Sequence, residues 1–143
     1  MSDVNLQCGR PDLSAGVSTV RLSPDFSTRI EGREPLIAYF EIYHLRCDAN
    51  GANRFEYEYS IRNLESDKPT SRHLRHLAAE ASSRLEYHST QEGVGPLRRQ
   101  FIRVPVESLP TGRYQLTIRV RDARAGASVQ RSVDFEKVEP PAR

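Results

Sequence analysis

Tryptophan is absent from this 143-residue chain, and methionine occurs once. A chain without Trp lacks the broadest flat ring available for stacking on sugars or bases. Lysine is nearly missing too. Nineteen of the 21 basic residues are Arg, leaving Lys68 and Lys137. Arg offers a planar fork of donors for anions, which Lys does not, although an Arg-rich genome composition explains the bias equally well. Net charge is only +2, so no strong global field draws this chain to nucleic acid or an acidic surface. No apolar run approaches the roughly 20 residues of a membrane-spanning helix. The stretch Met1-Ser2-Asp3-Val4-Asn5-Leu6 has neither a basic n-region nor an apolar h-region, so no secretory leader is expected at this end.

Two cysteines, Cys8 and Cys47, match no zinc or redox spacing. They leave two alternatives: a disulfide pinning an N-terminal arm to the domain, or two free thiols. Two cysteines alone are weak grounds for an oxidising compartment. The compartment is therefore open: cytoplasmic, or periplasmic or extracellular if the chain is a piece of an exported protein.

What is present is apolar patterning of period two. The chain is 37% hydrophobic and 28% charged, polar for a globular chain but not disordered in character. Its length suits one domain. Residues 1–70 carry a net −3 and residues 71–143 a net +5. The halves attract each other, or the second presents a mildly basic face, or the charges make up a mixed solvated surface.

Residues 1–17 are turn-rich and read as an arm or lead-in loop. Val17 to Leu22 is a candidate first strand, and Ser23 to Glu34 a polar connection. Leu36 to Leu45 is apolar on nearly both faces, the mark of a central strand. Asp48-Ala49-Asn50-Gly51 is a turn signal. After it, Phe55, Tyr57, Tyr59 and Ile61 alternate with Glu56, Glu58, Ser60 and Arg62, a half-buried strand. The two strands read as a hairpin. Within 63–83, Leu74, Leu77 and Ala81 have helical spacing, so a short helix near 72–81 competes with a loop or irregular edge strand. Leu85 and Tyr87 suggest a strand over 84–90, and Gln91 to Pro96 a turn. Phe101, Ile102, Val104 and Val106 mark the next strand, Pro105 giving it an edge position or a bulge.

Tyr114, Leu116, Ile118 and Val120 then point inward, with Gln115, Thr117, Arg119 and Arg121 outward. Asp122 to Gly126 closes a turn, and Val129, Val133 and Phe135 mark a last strand. About seven short strands with regular turns predict an all-β, immunoglobulin-like antiparallel sandwich over 18–138, with a tail at 139–143 that looks like a domain edge or linker start. A tyrosine such as Tyr114 at the start of a late strand can send its hydroxyl back to an upstream backbone group, and Gly112 permits the sharp bend before it.

Two segments carry a resemblance. Ala38-Tyr39-Phe40-Glu41-Ile42-Tyr43-His44-Leu45 resembles a YFEIYNL-like strand in the C-terminal part of bacterial GWxTD-domain proteins. Leu109-Pro110-Thr111-Gly112-Arg113-Tyr114-Gln115-Leu116, with Asp122, resembles the LPxGxYxL…D stretch that follows it. Their order and separation fit over roughly 18–138. The Gly-Trp-x-Thr-Asp signature is absent, so the resemblance implies only the β-sandwich that accompanies it. It implies no activity and no catalytic residue.

Candidate chemistry is sparse. His73 and His76 stand at helical ligand spacing, with His44 and His88 as further donors, but no acidic partner is linked to them. Surface histidines are the expectation, with no metal and no cofactor. Glu41, within an apolar strand, is either a carboxylate with a raised pKa or one paired with an arginine such as Arg119 or Arg121. Glu56 and Glu58 form an outward row adequate for a weak calcium contact. Arg98, Arg99, Arg103, Arg119, Arg121, Arg124 and Arg131 are candidates for a basic strip, yet the aromatics interleave with acidic residues instead, so no nucleic-acid partner is expected. No nucleophile elbow, phosphate loop or triad appears.

The leading expectation is a non-enzymatic interaction or accessory module of a larger bacterial protein. Its partner is a protein, or other domains of its own chain, at an exposed sheet edge. A carbohydrate-binding module using Tyr39, Tyr43, Tyr57, Tyr59 and Tyr87 is the alternative, and an enzyme with a fold-assembled site ranks last.

Overall fold

Alternation governs the fold. The computed structural model describes residues 1–2, 5–8, 28–65 and 85–142, and within them the chain forms eight strands and no helix. These are β1 (Asn5–Cys8), β2 (Arg29–Glu31), β3 (Leu36–Ile42), β4 (Ala52–Asn63), β5 (Leu85–Val94), β6 (Arg98–Val104), β7 (Gly112–Asp122) and β8 (Ser128–Val138). They build a curled five-stranded sheet, in the order β2-β8-β7-β4-β5, and a three-stranded sheet, β1-β3-β6.

Inward residues of both sheets meet in one apolar cluster. β4 and β7 lie side by side, with Tyr57 opposite Val120, Tyr59 opposite Ile118 and Ile61 opposite Leu116. From the small sheet, Leu36, Ala38, Phe40 and Ile42 join Ile102 and Val104. Burying each large side chain contributes about 1.5–3 kcal/mol, so these period-two stripes dominate the favourable side of folding.

Leu36–Ile42 lies between two neighbours, β1 and β6, as its double-faced apolarity predicts. It does not pair with β4. The expected hairpin is instead a crossing between sheets, and residues 43–51 carry it. His44 takes a left-handed φ of 59°, Leu45 drops into the core, and the Leu45 N–H is held by the Pro96 carbonyl at 3.0 Å. Asp48 then accepts the backbone N–H groups of Asn50 and Ala52, both at 2.9 Å. Two strands with strong inward stripes bury more by facing each other than by lying adjacent.

Other expectations change as well. Residues 5–8 are not an arm: they pair antiparallel with β3. Part of the polar connection, Arg29–Glu31, is β2, with a single apolar residue, Ile30, fully buried. β2 runs parallel to β8 while the other ladders are antiparallel, so the large sheet is mixed. β5 continues to Val94 through the expected turn at 91–96.

Of the two cysteines, the described side chain is that of Cys47. Cys47 is a free thiol, its Sγ 3.7 Å from the Leu45 carbonyl. Cys8 pairs with Leu36 at one end of β3, and Cys47 follows the strand's other end. The candidate strand at 17–22 and the candidate helix near 72–81 lie outside the described residues.

Candidate functional site

One edge of the large sheet stands out. β5 pairs with β4 over ten positions, from Leu85 opposite Ile61 to Val94 opposite Ala52. On its other side it has no strand neighbour among the described residues. Its sequence, Leu-Glu-Tyr-His-Ser-Thr-Gln-Glu-Gly-Val, contains neither Lys nor Pro, two residues that natural proteins use to blunt such edges. Tyr87 and Val94 are among the most exposed large apolar side chains of the described residues, at 47% and 78%.

Beside that edge, the outer face of the large sheet forms a polar trough. Pairing sets Glu58 between His88 on β5 and Arg119 on β7, with Gln130 of β8 beyond Arg119. The next row is Glu86, Ser60, Thr117 and Ser132. Glu58, Ser60, Glu86, His88, Thr117 and Arg119 line a groove of about 490 Å³, within the size range of small-molecule and side-chain pockets. A smaller hollow of about 110 Å³ continues it toward Glu56 and Arg121. The expected carboxylate row is thus met by guanidinium: Arg119 Nη1 lies 3.6 Å from Glu58, and Arg121 Nη1 lies 3.4 Å from Glu56. Thr117 and Ser132 exchange a hydroxyl hydrogen bond at 2.9 Å.

A second cluster occupies the outer face of the small sheet. Tyr39 donates to Glu41 Oε1 at 2.6 Å, and Tyr43 donates to Oε2. Arg99, opposite Glu41 in register, brings its Nε to 3.4 Å. The two tyrosine donors, followed by Arg99, hold the Glu41 carboxyl below the usual range. Burial, reinforced by the carboxylate, pushes Tyr39 up to about 12. Glu41 does pair with an arginine, but with Arg99 rather than Arg119 or Arg121, because β7 belongs to the other sheet, and its pKa is lowered rather than raised. Tyr39 also packs against Phe101, with ring centroids 4.7 Å apart.

Comparison with protein-family models gives no match, and comparison with curated proteins gives none either.

The remaining candidates scatter. Tyr57 and Tyr59 are buried, and Tyr59 stacks on Tyr87 with centroids 5.3 Å apart, while Tyr39 and Tyr43 lie at the small sheet with Glu41. His44 sits in the crossing loop and His88 on the trough, and the described residues hold no group of three or more metal-ligating side chains. His73 and His76 lie outside the described residues. The arginines do not form one strip. Arg98, Arg99 and Arg103 belong to the small sheet, Arg119, Arg121 and Arg131 to the large one, and Arg124 to the β7–β8 turn. Arg103 pairs with Glu107, and Arg124 with Asp48 at 3.2 Å. No helix among the described residues is long and apolar enough to cross a membrane.

Structural side chains complete the frame. Tyr114, fully buried, donates its hydroxyl to the Pro110 carbonyl at 2.8 Å and stacks on Phe135. Gly112 has a φ of 153°, and a Cβ there would come within 3.2 Å of Glu65 Oε2. Phe55, Leu116, Ile118 and Val120 lie in the core.

Sequence reasoning missed Asp122 as a clasp. Its Oδ2 accepts the Arg46 N–H at 2.7 Å, and its Oδ1 accepts those of Arg124 and Ala125 at 2.9 and 3.1 Å. It therefore ties the sheet-crossing loop to the β7–β8 turn. The signals in the sequence are an acidic residue at an inward position of the β7 alternation and its place at the end of the LPxGxYxL…D-like stretch.

Proposed function

We propose that the chain is a non-enzymatic interaction module of the immunoglobulin-like sandwich kind, part of a larger bacterial protein. It takes an extended polypeptide as an added strand along β5. The observation that carries this reading is the ten-residue edge, paired on one side only among the described residues, with a trough along its outer face. Main-chain hydrogen bonds to an edge supply affinity, and pockets for alternate side chains supply specificity. Glu58, His88 and Arg119 offer both charge signs to such side chains. A saccharide platform has less support, because Tyr57 and Tyr59 are buried.

Backbone amide spectra of the labelled chain, titrated with strand-forming peptides, test the reading. Shifts confined to β5 and the trough are expected. Proline placed in turn at His88, Ser89, Thr90 and Gln91 should abolish binding without unfolding at the alternate positions whose N–H points away from β4. Shifts elsewhere, or β5 amides that exchange as slowly in the free chain as those of β4, overturn it.

A further inference from the structure

The strand that β5 accepts, we infer, is β5 of a second copy of this chain, antiparallel and in a register centred on Thr90. This rests on the edge-strand reading above and names its partner. A two-fold axis normal to the sheet keeps inward side chains opposite inward ones, so residues of equal parity face each other. Only a few centres remain that pair most of the strand.

Centring on Ser89 sets Glu86 of each copy opposite Glu92 of the other, and like charges directly opposite oppose pairing. Centring on Gln91 sets His88 opposite Val94 and Thr90 opposite Glu92. Centring on Thr90 also places a polar residue, Glu86, opposite Val94, but it sets His88 opposite Glu92 twice, an unlike pair with an imidazole on one side that the Gln91 centre lacks. It also sets Tyr87 opposite Gly93, twice, on the inner face. That second match has its own basis. Tyr87 is 47% exposed although it lies on the inward side of β5. At Gly93 the missing side chain is replaced by the Arg98 guanidinium, close enough that a Cβ would come within 2.7 Å of Nη1. A tyrosine laid across a glycine covers exposed backbone in a sheet, and here it would also meet a guanidinium face, a favourable cation–π partner. Among the described residues Arg98 Nε is buried with no hydrogen-bond partner, so they leave donor capacity unused at this corner. The outcome is one continuous ten-stranded sheet across two copies, with Thr90 of each on the axis.

Sedimentation and cross-linking of the whole chain test this. In a background of Cys8→Ser and Cys47→Ser, the chain should sediment as a dimer of twice 16.3 kDa. Under mild oxidation, Thr90→Cys should self-cross-link to more than half, because a residue on the axis faces its own copy. Ser89→Cys and Gln91→Cys should cross-link at least fivefold less. His88→Cys mixed with Glu92→Cys should form the mixed product in preference to either self-product. A chain that stays monomeric at 100-fold the concentration of ordinary assay, taken as about 100 μM against a moderate-affinity Kd, overturns the second copy as partner. So does a dimer in which another position cross-links best. The two readings fail separately. A monomer whose β5 amides still shift with a peptide of different sequence retains strand addition and loses only the second copy. A monomer whose β5 amides are protected in isolation loses both.

Discussion

Tyr39 and Glu41, two residues apart on one face of β3, are joined by a hydroxyl-to-carboxylate hydrogen bond of 2.6 Å. Such charge-assisted bonds are short and strong, and this one leaves a spectroscopic trace. Burial is the largest reason Tyr39 ionises only near pH 12, and the Glu41 bond and charge are the next. Glu41→Gln should therefore move the Tyr39 titration part of the way back toward 10, followed by phenolate absorbance. An unmoved Tyr39 would assign the whole shift to burial.

Acid should loosen the crossing between the sheets. Burial alone would raise the Asp122 carboxyl, but the backbone donors of Arg46, Ala125 and Arg124 outweigh it and hold its pKa below the ordinary value. A carboxyl depressed in the folded state contributes stability that is fully present above its unfolded pKa, about 3.9, and is lost as pH falls through the lower folded value. Glu41 and Asp48 shift in the same direction. Asp122→Ala should cost about 1–3 kcal/mol in urea unfolding, since it leaves three part-buried N–H groups without their acceptor. It should also flatten the dependence on pH below 4.

Removing the hydroxyl of Tyr114 tests the corner at Pro110. Tyr114→Phe keeps the ring on Phe135 and deletes the 2.8 Å bond. A loss of about 1–2 kcal/mol is expected, with the fold retained. Tyr114→Ala also opens a cavity and should cost about 3–5 kcal/mol. Equal losses for the two would mean the hydroxyl carries the whole contribution.

The trough pairs should matter little to stability. Arg119 and Glu58 are each about half exposed at 3.6 Å, and exposed pairs contribute at most about 1 kcal/mol and are screened by salt. Arg119→Ala should therefore leave thermal unfolding nearly unchanged while altering peptide binding at β5. A large drop in stability would make Arg119 part of the frame rather than of the recognition surface.

Strand interiors could be read from residues alone wherever inward apolar side chains recur every second position, as at Phe55–Ile61 and Tyr114–Val120. What failed was pairing. Asn50-Gly51 after an apolar strand predicts a hairpin, yet whether strands 36–42 and 52–63 lie side by side or face to face depends on which faces meet, a tertiary choice that alternation does not encode. β2 escaped notice because three residues with one buried Ile30 show no period. Glu41 stands out in its apolar strand, but its partner follows only from the register of β3 with β6, which places Arg99 opposite it. The edge position of β5 among the described residues is a property of sheet order, which its own sequence does not encode.

The parallel pairing of β2 with β8 joins Arg29–Glu31 to Glu136–Val138. These segments stand at nearly opposite ends of the sequence. Such a long loop cannot close until β8 has been synthesised, and its closure entropy makes this pairing a slow one to form. Until then the β8 border of the sheet lacks its β2 partner, and truncation before residue 136 should yield a species prone to clump during synthesis.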